Sequence, residues 1–492
     1  MPAPSTVPGL PELAEGFRGA GYSSTGLLAV LGVDGGVATA PGNLVVHERR
    51  LAAAPGPLAD LVALLTLNWP RSAAAIAAAV GSTGVDALVA SGCVVQDGTD
   101  LLPIVRIVPH GELWLASDRR HEPGTTADPL QVTGINPPAT LLSVLTVRRP
   151  VARALDIGTG NGIQALLAAQ HSEEVVATDV NPRALAFAAF NAALNGVDNI
   201  EFREGSLLEP VTGERFDLIV TNPPYVISPE HEFVFRDSGA APGALCAELV
   251  HSLPSVLAPG GFAAMLVSWP IRAGEHWSSA PRSWLGDDCR TWLLHVRAED
   301  PLLHAQQWNR PLADSGDVAG YAAAIDRWVD YLAEHRIDLI GYGAVLLQRR
   351  DGERTVIRAD EVRAGSGSAG AHIERVFAAH EALREVDDAA LAEWRCAMPP
   401  EHVVDRSVRY VEGRWHSGET RLSLSEGVGV EVTLDALLTE VFMLTTSGAT
   451  VRMAAADVGR SVGIAEDDLD GLLAAAVAMV RELVSFGIVV RG

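Results

Sequence analysis

Lysine is absent from this 492-residue chain. All 37 basic residues are arginine, set against 61 aspartates and glutamates, for a formal charge of −24. With abundant alanine and glycine, the missing lysine reads first as the mark of a GC-rich genome. The acidic excess argues against a protein whose affinity comes from neutralising many phosphates, although a local basic patch stays open. Cysteine is scarce: Cys93, Cys246, Cys289 and Cys396 show no CxxC or Cys/His spacing, which excludes a structural zinc site and a disulfide framework and predicts reduced thiols. No uninterrupted apolar run reaches about 18 residues. The opening MPAPSTVPGL has neither a basic n-region nor an apolar h-region. A cytoplasmic protein without a membrane span is the expectation. No metal site is expected, and nothing in the sequence sets the oligomeric state.

What is present is ample apolar material, 48% of residues, in a chain too long for one ordinary core. Pro- and Gly-rich punctuation and changes of period predict three regions: 1–127, 128–350 and 351–492. In the first, ADLVALLTL, RSAAAIAAAV and GVDALVASG read as helices, and the β-like runs of CVVQDGTDLLPIVRIVPHGELWLASD follow. Helix, helix, helix and β-ribbon is the order of a winged helix. The C-terminal stretch from Val451 to Val490 repeats that order, so two mainly helical, winged-helix-like regions are expected to flank the middle. RAGSGSAGAH at 363–372 reads as a flexible loop.

The middle region alternates strands and helices. VARALDIGTGNGIQALLAAQ at 151–170 predicts a strand, a turn and a helix, with Gly158, Gly160 and Gly162 letting the backbone come close to a ligand at the helix N-terminus. EVVATDVNPRALAFAAFNAALNGV supplies a second strand ending in Asp179, about 20 residues after the turn, where a carboxylate can accept ribose hydroxyls. IEFREGSLLEP and FDLIVTNPPY complete a βαβ series and predict a doubly wound, Rossmann-like α/β core. A carboxylate, Asp156, precedes the glycines. It suits a ligand bearing positive charge better than a pyrophosphate.

DIGTGNG, DVNPRALAFAAFNAALNG, EFREGSLLEP and NPPY, in this order from about 130 to 265, resemble class I S-adenosylmethionine-dependent methyltransferases. Within that superfamily they are similar to the release-factor glutamine methyltransferases and their relatives acting on nucleobase amines. The resemblance implies S-adenosylmethionine as cofactor. It places Asp156 and the loop Gly158, Thr159, Gly160 and Gly162 at the methionine part, Asp179 at the ribose, and Gly205, Ser206 and Leu207 beside adenine, with Asn181 also among the cofactor-binding residues. Relatives often carry Asp where this chain has Ser206.

Two prolines cannot continue a sheet, because they lack an N–H and have fixed φ, so the strand of FDLIVTNPPY is expected to stop at Asn222. An amide or exocyclic amine nitrogen is a poor nucleophile because its lone pair is delocalised. The resemblance assigns the Asn222 side-chain oxygen and the Pro223 carbonyl to accept its two N–H groups, Tyr225 to stack on its plane, and Asn222 also to border the cofactor. The blander alternatives are a turn cap for Asn222, a helix cap for Asp179, an exposed charged loop for Glu230, His231 and Glu232, and packing for Trp269. A protein glutamine ranks slightly ahead of a nucleobase as acceptor. A regulatory protein on a degenerate methyltransferase fold is the competing class. The chain departs from the glutamine methyltransferases at GINPPATLL (134–142), where only Thr140 matches their usual Pro-Arg-Pro-Glu-Thr-Glu-like segment, and in a long insertion from about 270 to 338.

Overall fold

A computed structural model describes residues 3–32, 44–119, 128–230, 236, 240–362 and 367–492. Two compact units divide the chain: 1–142, 150–289 and 297–354 form the first, and 143–149, 290–296 and 355–492 the second.

The first unit opens with helices over Leu10–Gly19, Ser24–Leu31, Leu44–Ala53 and Pro57–Leu61, the last running into a wider turn at Val62–Thr66. Leu10, Leu13, Ala14 and Phe17 form the buried stripe of the first helix, at the spacing an amphipathic helix requires. β1 (Arg71–Ser72) leads directly into the helix Ala73–Ala90, where Ser72 accepts the Ala75 N–H. Among the described residues this helix alone is long and apolar enough to cross a bilayer, and it breaks at Gly81 (φ 73°, ψ 170°) into two shorter pieces. β2 (Val94–Asp97) and β3 (Asp100–Pro103) join β1 in a small sheet of order β1-β3-β2, and β4 (Val105–His110) pairs with β5 (Leu113–Asp118) in a second hairpin.

Six strands of one sheet follow. β6 (Val151–Ile157), β7 (Ser172–Asp179), β8 (Ile200–Glu204) and β9 (Phe216–Thr221) alternate with connecting segments, and β10 (Leu257–Ile271) comes next. β11 (Cys289–Glu299) has its residues 290–296 in the second unit, and β12 (Leu339–Arg349) closes the six. Their order is β8-β7-β6-β9-β10-β12, parallel except for β12, which runs antiparallel to β10. This is a Rossmann-like, doubly wound core. Strand order reverses between β6 and β9, the switch point where open α/β sheets bind ligands. Trp269 is packing, as expected: it is buried on β10 opposite Gly341, and a Cβ at Gly341 would lie 2.5 Å from the Trp269 ring.

The helix Pro182–Leu194 joins the two parts of this unit. Phe187, Phe190 and Leu194 share one core with Leu10, Phe17, Leu64 and Ile107. Its asparagines do more than pack. The Asn191 amide takes the Ala116 N–H at 2.7 Å and donates to the Ala116 carbonyl at 3.0 Å. One helical turn further, Asn195 does the same for Trp114, at 2.9 and 2.8 Å. Two side-chain amides thus satisfy the edge of β5 in place of a third strand.

In the second unit β13 (Arg354–Glu361) neighbours β11. Gly370–Arg384 is a helix, so the expected loop at 363–372 is overturned at its end. Gly370 is buried, and a Cβ there would lie 2.8 Å from the Thr146 carbonyl oxygen, so this helix start is packed rather than loose. Residues 363–366 lie outside the described residues. β14 (Cys396–Ala397) precedes an antiparallel sheet of β15 (His402–Val411), β16 (Arg414–Leu424) and β17 (Glu431–Leu434). Three helices, Ala436–Thr446, Val451–Ser461 and Leu469–Ser485, bury Val441, Phe442, Val458, Val477 and Leu483, and β18 (Val490–Arg491) returns to pair with β14. The four cysteines are buried and unbridged.

Candidate active site

A cavity of about 470 Å³ opens at the carboxyl ends of β6, β7, β8 and β9. The turn after β6 forms its floor. Gly158 (φ 69°) and Gly160 (φ 57°) are left-handed, and a Cβ on either would meet nothing within 4 Å, so the backbone borders open space here. Asp156 is 1% exposed and spends one oxygen on the Thr159 hydroxyl (2.6 Å) and the Ala165 N–H (3.0 Å). Burial pushes its carboxyl up to about 7, against the pull of those two donors. Asp179 accepts the Gly160 N–H at 2.9 Å and the Asn181 N–H at 2.9 Å, which ties the end of β7 to the glycine turn. Its carboxyl is also raised by burial, with these backbone donors opposing.

On the other side of the switch point β9 ends at Thr221, one residue before Asn222, and the two prolines follow. Thr221 Oγ1 donates to the Ile157 carbonyl at 3.0 Å and fastens the two strand ends together. Asn222 lines the cavity, and its Oδ1 is shielded from solvent with no hydrogen-bond partner among the described residues. A buried, unsatisfied carbonyl oxygen costs about 1–3 kcal/mol, and such groups call for an explanation. Pro223 and Tyr225 line the same cavity, and the Tyr225 carbonyl accepts the Ser268 hydroxyl from β10. Burial raises the Tyr225 phenol above its ordinary range.

With this geometry in hand, the chain can be set beside known proteins. Residues 137–268 match the methyltransferase small domain. Residues 19–104 match a Domain of unknown function (DUF7059). The release factor glutamine methyltransferase of Xylella fastidiosa (strain 9a5c) is 38% identical over 129 residues, which cover 24% of this chain and 47% of that protein. The ribosomal protein uL3 glutamine methyltransferase of Bordetella pertussis is 35% identical over 190 residues, covering 37% of this chain and 58% of the relative. The chain thus spans about half the length of these curated relatives. Among solved structures, the [4+2]-cyclase SpnF is 20% identical with a TM-score of 0.28, covering 44% of this chain and 80% of its own, and that score supports no functional inference.

Of the residues singled out for the methyltransferase domain, Asp156, Gly158, Thr159, Gly160, Asp179, Asn181, Ser206, Leu207, Asn222, Pro223 and Tyr225 all line the cavity. Gly162 does not. It is the left-handed N-cap of the helix Ile163–Ala169, and a Cβ there would lie 2.9 Å from Ala188 Cβ, so it serves helix-to-helix packing. Asn181 lines the wall, but its side chain caps the next helix through the Arg183 N–H (3.0 Å) and holds the Leu130 carbonyl (3.1 Å). Glu230 is no free charged loop: it accepts Arg236 and Arg327 at 2.7 Å each and the Trp328 indole at 3.1 Å. His231 and Glu232 lie outside the described residues. Thr140 is exposed, bonds the Asn136 carbonyl at 3.3 Å and does not line the cavity.

No motif marked the roof. Gln131, Thr133, Asn136 and Ala139 border the cavity, and one carboxylate fixes the backbone of this segment at Val132. Asp118, at the end of β5, takes the Val132 N–H at 2.7 Å and a two-pronged ion pair from Arg183, whose guanidinium also reaches the Leu130 carbonyl at 3.2 Å. Trp308, from the insertion, also lines the cavity. Its position is separated from every recognised motif, and a lone tryptophan carries no pattern.

Proposed function

We propose that this protein is an S-adenosylmethionine-dependent N-methyltransferase acting on a planar amide or exocyclic amine nitrogen, with a protein glutamine slightly favoured as acceptor. One observation carries the reading: Asn222 Oδ1, shielded from solvent on a residue lining the switch-point cavity and without a partner among the described residues, is an acceptor available to a donor. A primary amide or an exocyclic amine has two N–H groups to give. Asn222 Oδ1 takes one and the Pro223 carbonyl the other, while Tyr225 offers a flat face to the attached π system. The Pro-Pro pair keeps both acceptors fixed, and positioning of this kind can lower a barrier by about 7–11 kcal/mol.

The cofactor assignment is supported by the open, left-handed Gly158 and Gly160 and by the buried carboxylates of Asp156 and Asp179. Asp156, fixed by Thr159, and the glycine turn would hold the methionine part, Asp179 the ribose, and Ser206 with Leu207 the adenine. When bound, S-adenosylmethionine supplies an electrophilic methyl group. The chain's own residues hold the acceptor nitrogen and keep water from the cleft.

Winged-helix-like flanks are part of the same reading. A short strand between helices, a helix pair hinged at Gly81 and a β-ribbon support it in residues 57–103, and three helices followed by β18 support it near the C-terminus. The divisions 1–127, 128–350 and 351–492 are then a division of labour, with the flanks meeting the acceptor in the cytoplasm. The names of the relatives favour protein over nucleic acid as partner.

The test is transfer of a tritiated methyl group from S-adenosylmethionine into a methyl-deficient lysate, followed by protease or nuclease. Label released by protease and stable to nuclease is the expected result. Nuclease-sensitive label would move the acceptor to a nucleobase, and label on a carboxylate or carbon would overturn the reading.

A further inference from the structure

Behind the Asn-Pro-Pro-Tyr loop, four polar groups form one chain. The Trp308 indole N–H donates to the Tyr342 hydroxyl oxygen at 3.4 Å, the Tyr342 hydroxyl and His304 Nδ1 share a hydrogen bond at 2.6 Å, and the His304 Nε2–H donates to the Ile227 carbonyl at 2.8 Å. An indole only donates and a carbonyl only accepts, so Tyr342 accepts from Trp308 and His304 Nε2 carries a proton. His304 is fully buried. Glu299 Oε2 stands 3.8 Å from Nδ1, beyond hydrogen-bond reach, and the other oxygen of Glu299 is held by Arg297. The Arg297 guanidinium in turn covers the Tyr342 ring at 4.4 Å.

One end of this chain lines the cavity and the other holds the acceptor loop just beyond it. Trp308 lines it, and Ile227 follows two residues after Tyr225 in the acceptor loop. Tyr342 also meets the Tyr225 ring edge-on, with centroids 6.5 Å apart. Tyr342 lies on β12 opposite Ser268 of β10, whereas Asp179, Ser206 and Leu207 follow β7 and β8 on the far side of the switch point. Trp308 therefore belongs to the acceptor half of the cavity.

We propose that the insertion supplies Trp308 as a specificity-determining wall for the acceptor, and that Tyr342 and His304 are positioning residues holding this wall and the acceptor loop in one register. The proposal rests on the methyltransferase reading of the cavity. Trp308 and Tyr225 both line this cavity, and aromatic rings there favour a flat acceptor over a tetrahedral one.

The test compares Tyr342→Phe, His304→Ala and His304→Gln in the full chain by hydrogen–deuterium exchange, with S-adenosylhomocysteine calorimetry as a check on the cofactor half. Tyr342→Phe and His304→Ala are expected to speed exchange severalfold in the segments 225–230 and 301–309 and to leave S-adenosylhomocysteine affinity within about twofold. His304→Gln, which keeps a donor and an acceptor, should restore most of the protection. Transfer of label to lysate should fall about 10–100-fold in the first two variants, the scale of a small misplacement of reacting groups. Unchanged exchange in both segments overturns the proposal whether or not label is transferred. Faster exchange in a protein whose wild type transfers no label supports the positioning chain and sinks the methyl-transfer reading alone. If Tyr342→Phe does not fold, the two His304 variants decide between these outcomes.

Discussion

Asn222 shows a residue held at a cost to the fold. Its unsatisfied oxygen is a liability of about 1–3 kcal/mol in the free protein, so Asn222→Ala is expected to abolish label transfer while S-adenosylhomocysteine affinity stays within a fewfold and the melting temperature stays equal or rises. A large drop in melting temperature would show a structural role instead. Asp156 gives a prediction in pH. The folded chain keeps its proton up to about pH 7, whereas an unfolded aspartate releases it near its ordinary value of about 3.9. The native state therefore binds the extra proton across that window, and stability falls as pH rises through it. Asp156→Asn keeps one oxygen for Thr159 and Ala165 and loses the titration. Urea midpoints of variant and wild type should then diverge in favour of the variant from pH 5 to 7.5, and parallel curves would refute the assignment. At this scale the sequence was most legible where a residue was forced. Two prolines after a strand leave Asn222 one place to be. Trp308 had no such neighbour, and its place in the cavity depends on a helix packed from the insertion.

Elements were legible through their periods. The largely apolar runs of β9 and β10 suit strands covered on both faces, and the glycine turn and Pro182 mark helix starts. The β15–β16 hairpin was not foreseen, because β15 is largely exposed and lacks the alternation of a half-buried strand. The roof of the cavity was equally hidden, since residues 128–134 form no regular element and are held by Asp118 from a distant hairpin. That dependence can be measured. Asp118→Asn removes the carboxylate that pairs with the Arg183 guanidinium, itself only 12% exposed. Breaking such a pair costs on the order of 3 kcal/mol, and S-adenosylhomocysteine affinity should fall at least about tenfold as the roof loosens. Unchanged affinity in a destabilised variant would show that the roof plays no part in binding.

For the molecule as a whole, the periodicity of each segment reported its elements but not which segments share a core. Phe187, Phe190 and Leu194 sit in one cluster with residues from the first hundred or so positions, and each such side chain contributes about 1.5–3 kcal/mol by burial. An isolated 128–350 fragment is therefore expected to melt well below the full chain and to bind a hydrophobic dye, with co-expressed 1–127 restoring cooperativity. A fragment melting at the full chain's temperature would contradict this. The asparagine pair of the same helix has a further consequence, for solubility. A hairpin edge left open is a template on which another copy can add a strand, the first step toward fibrous aggregates. By occupying the N–H and C=O groups of Trp114 and Ala116, Asn191 and Asn195 seal that template, so these two amides act as gatekeepers against polymerisation as well as glue between neighbouring elements.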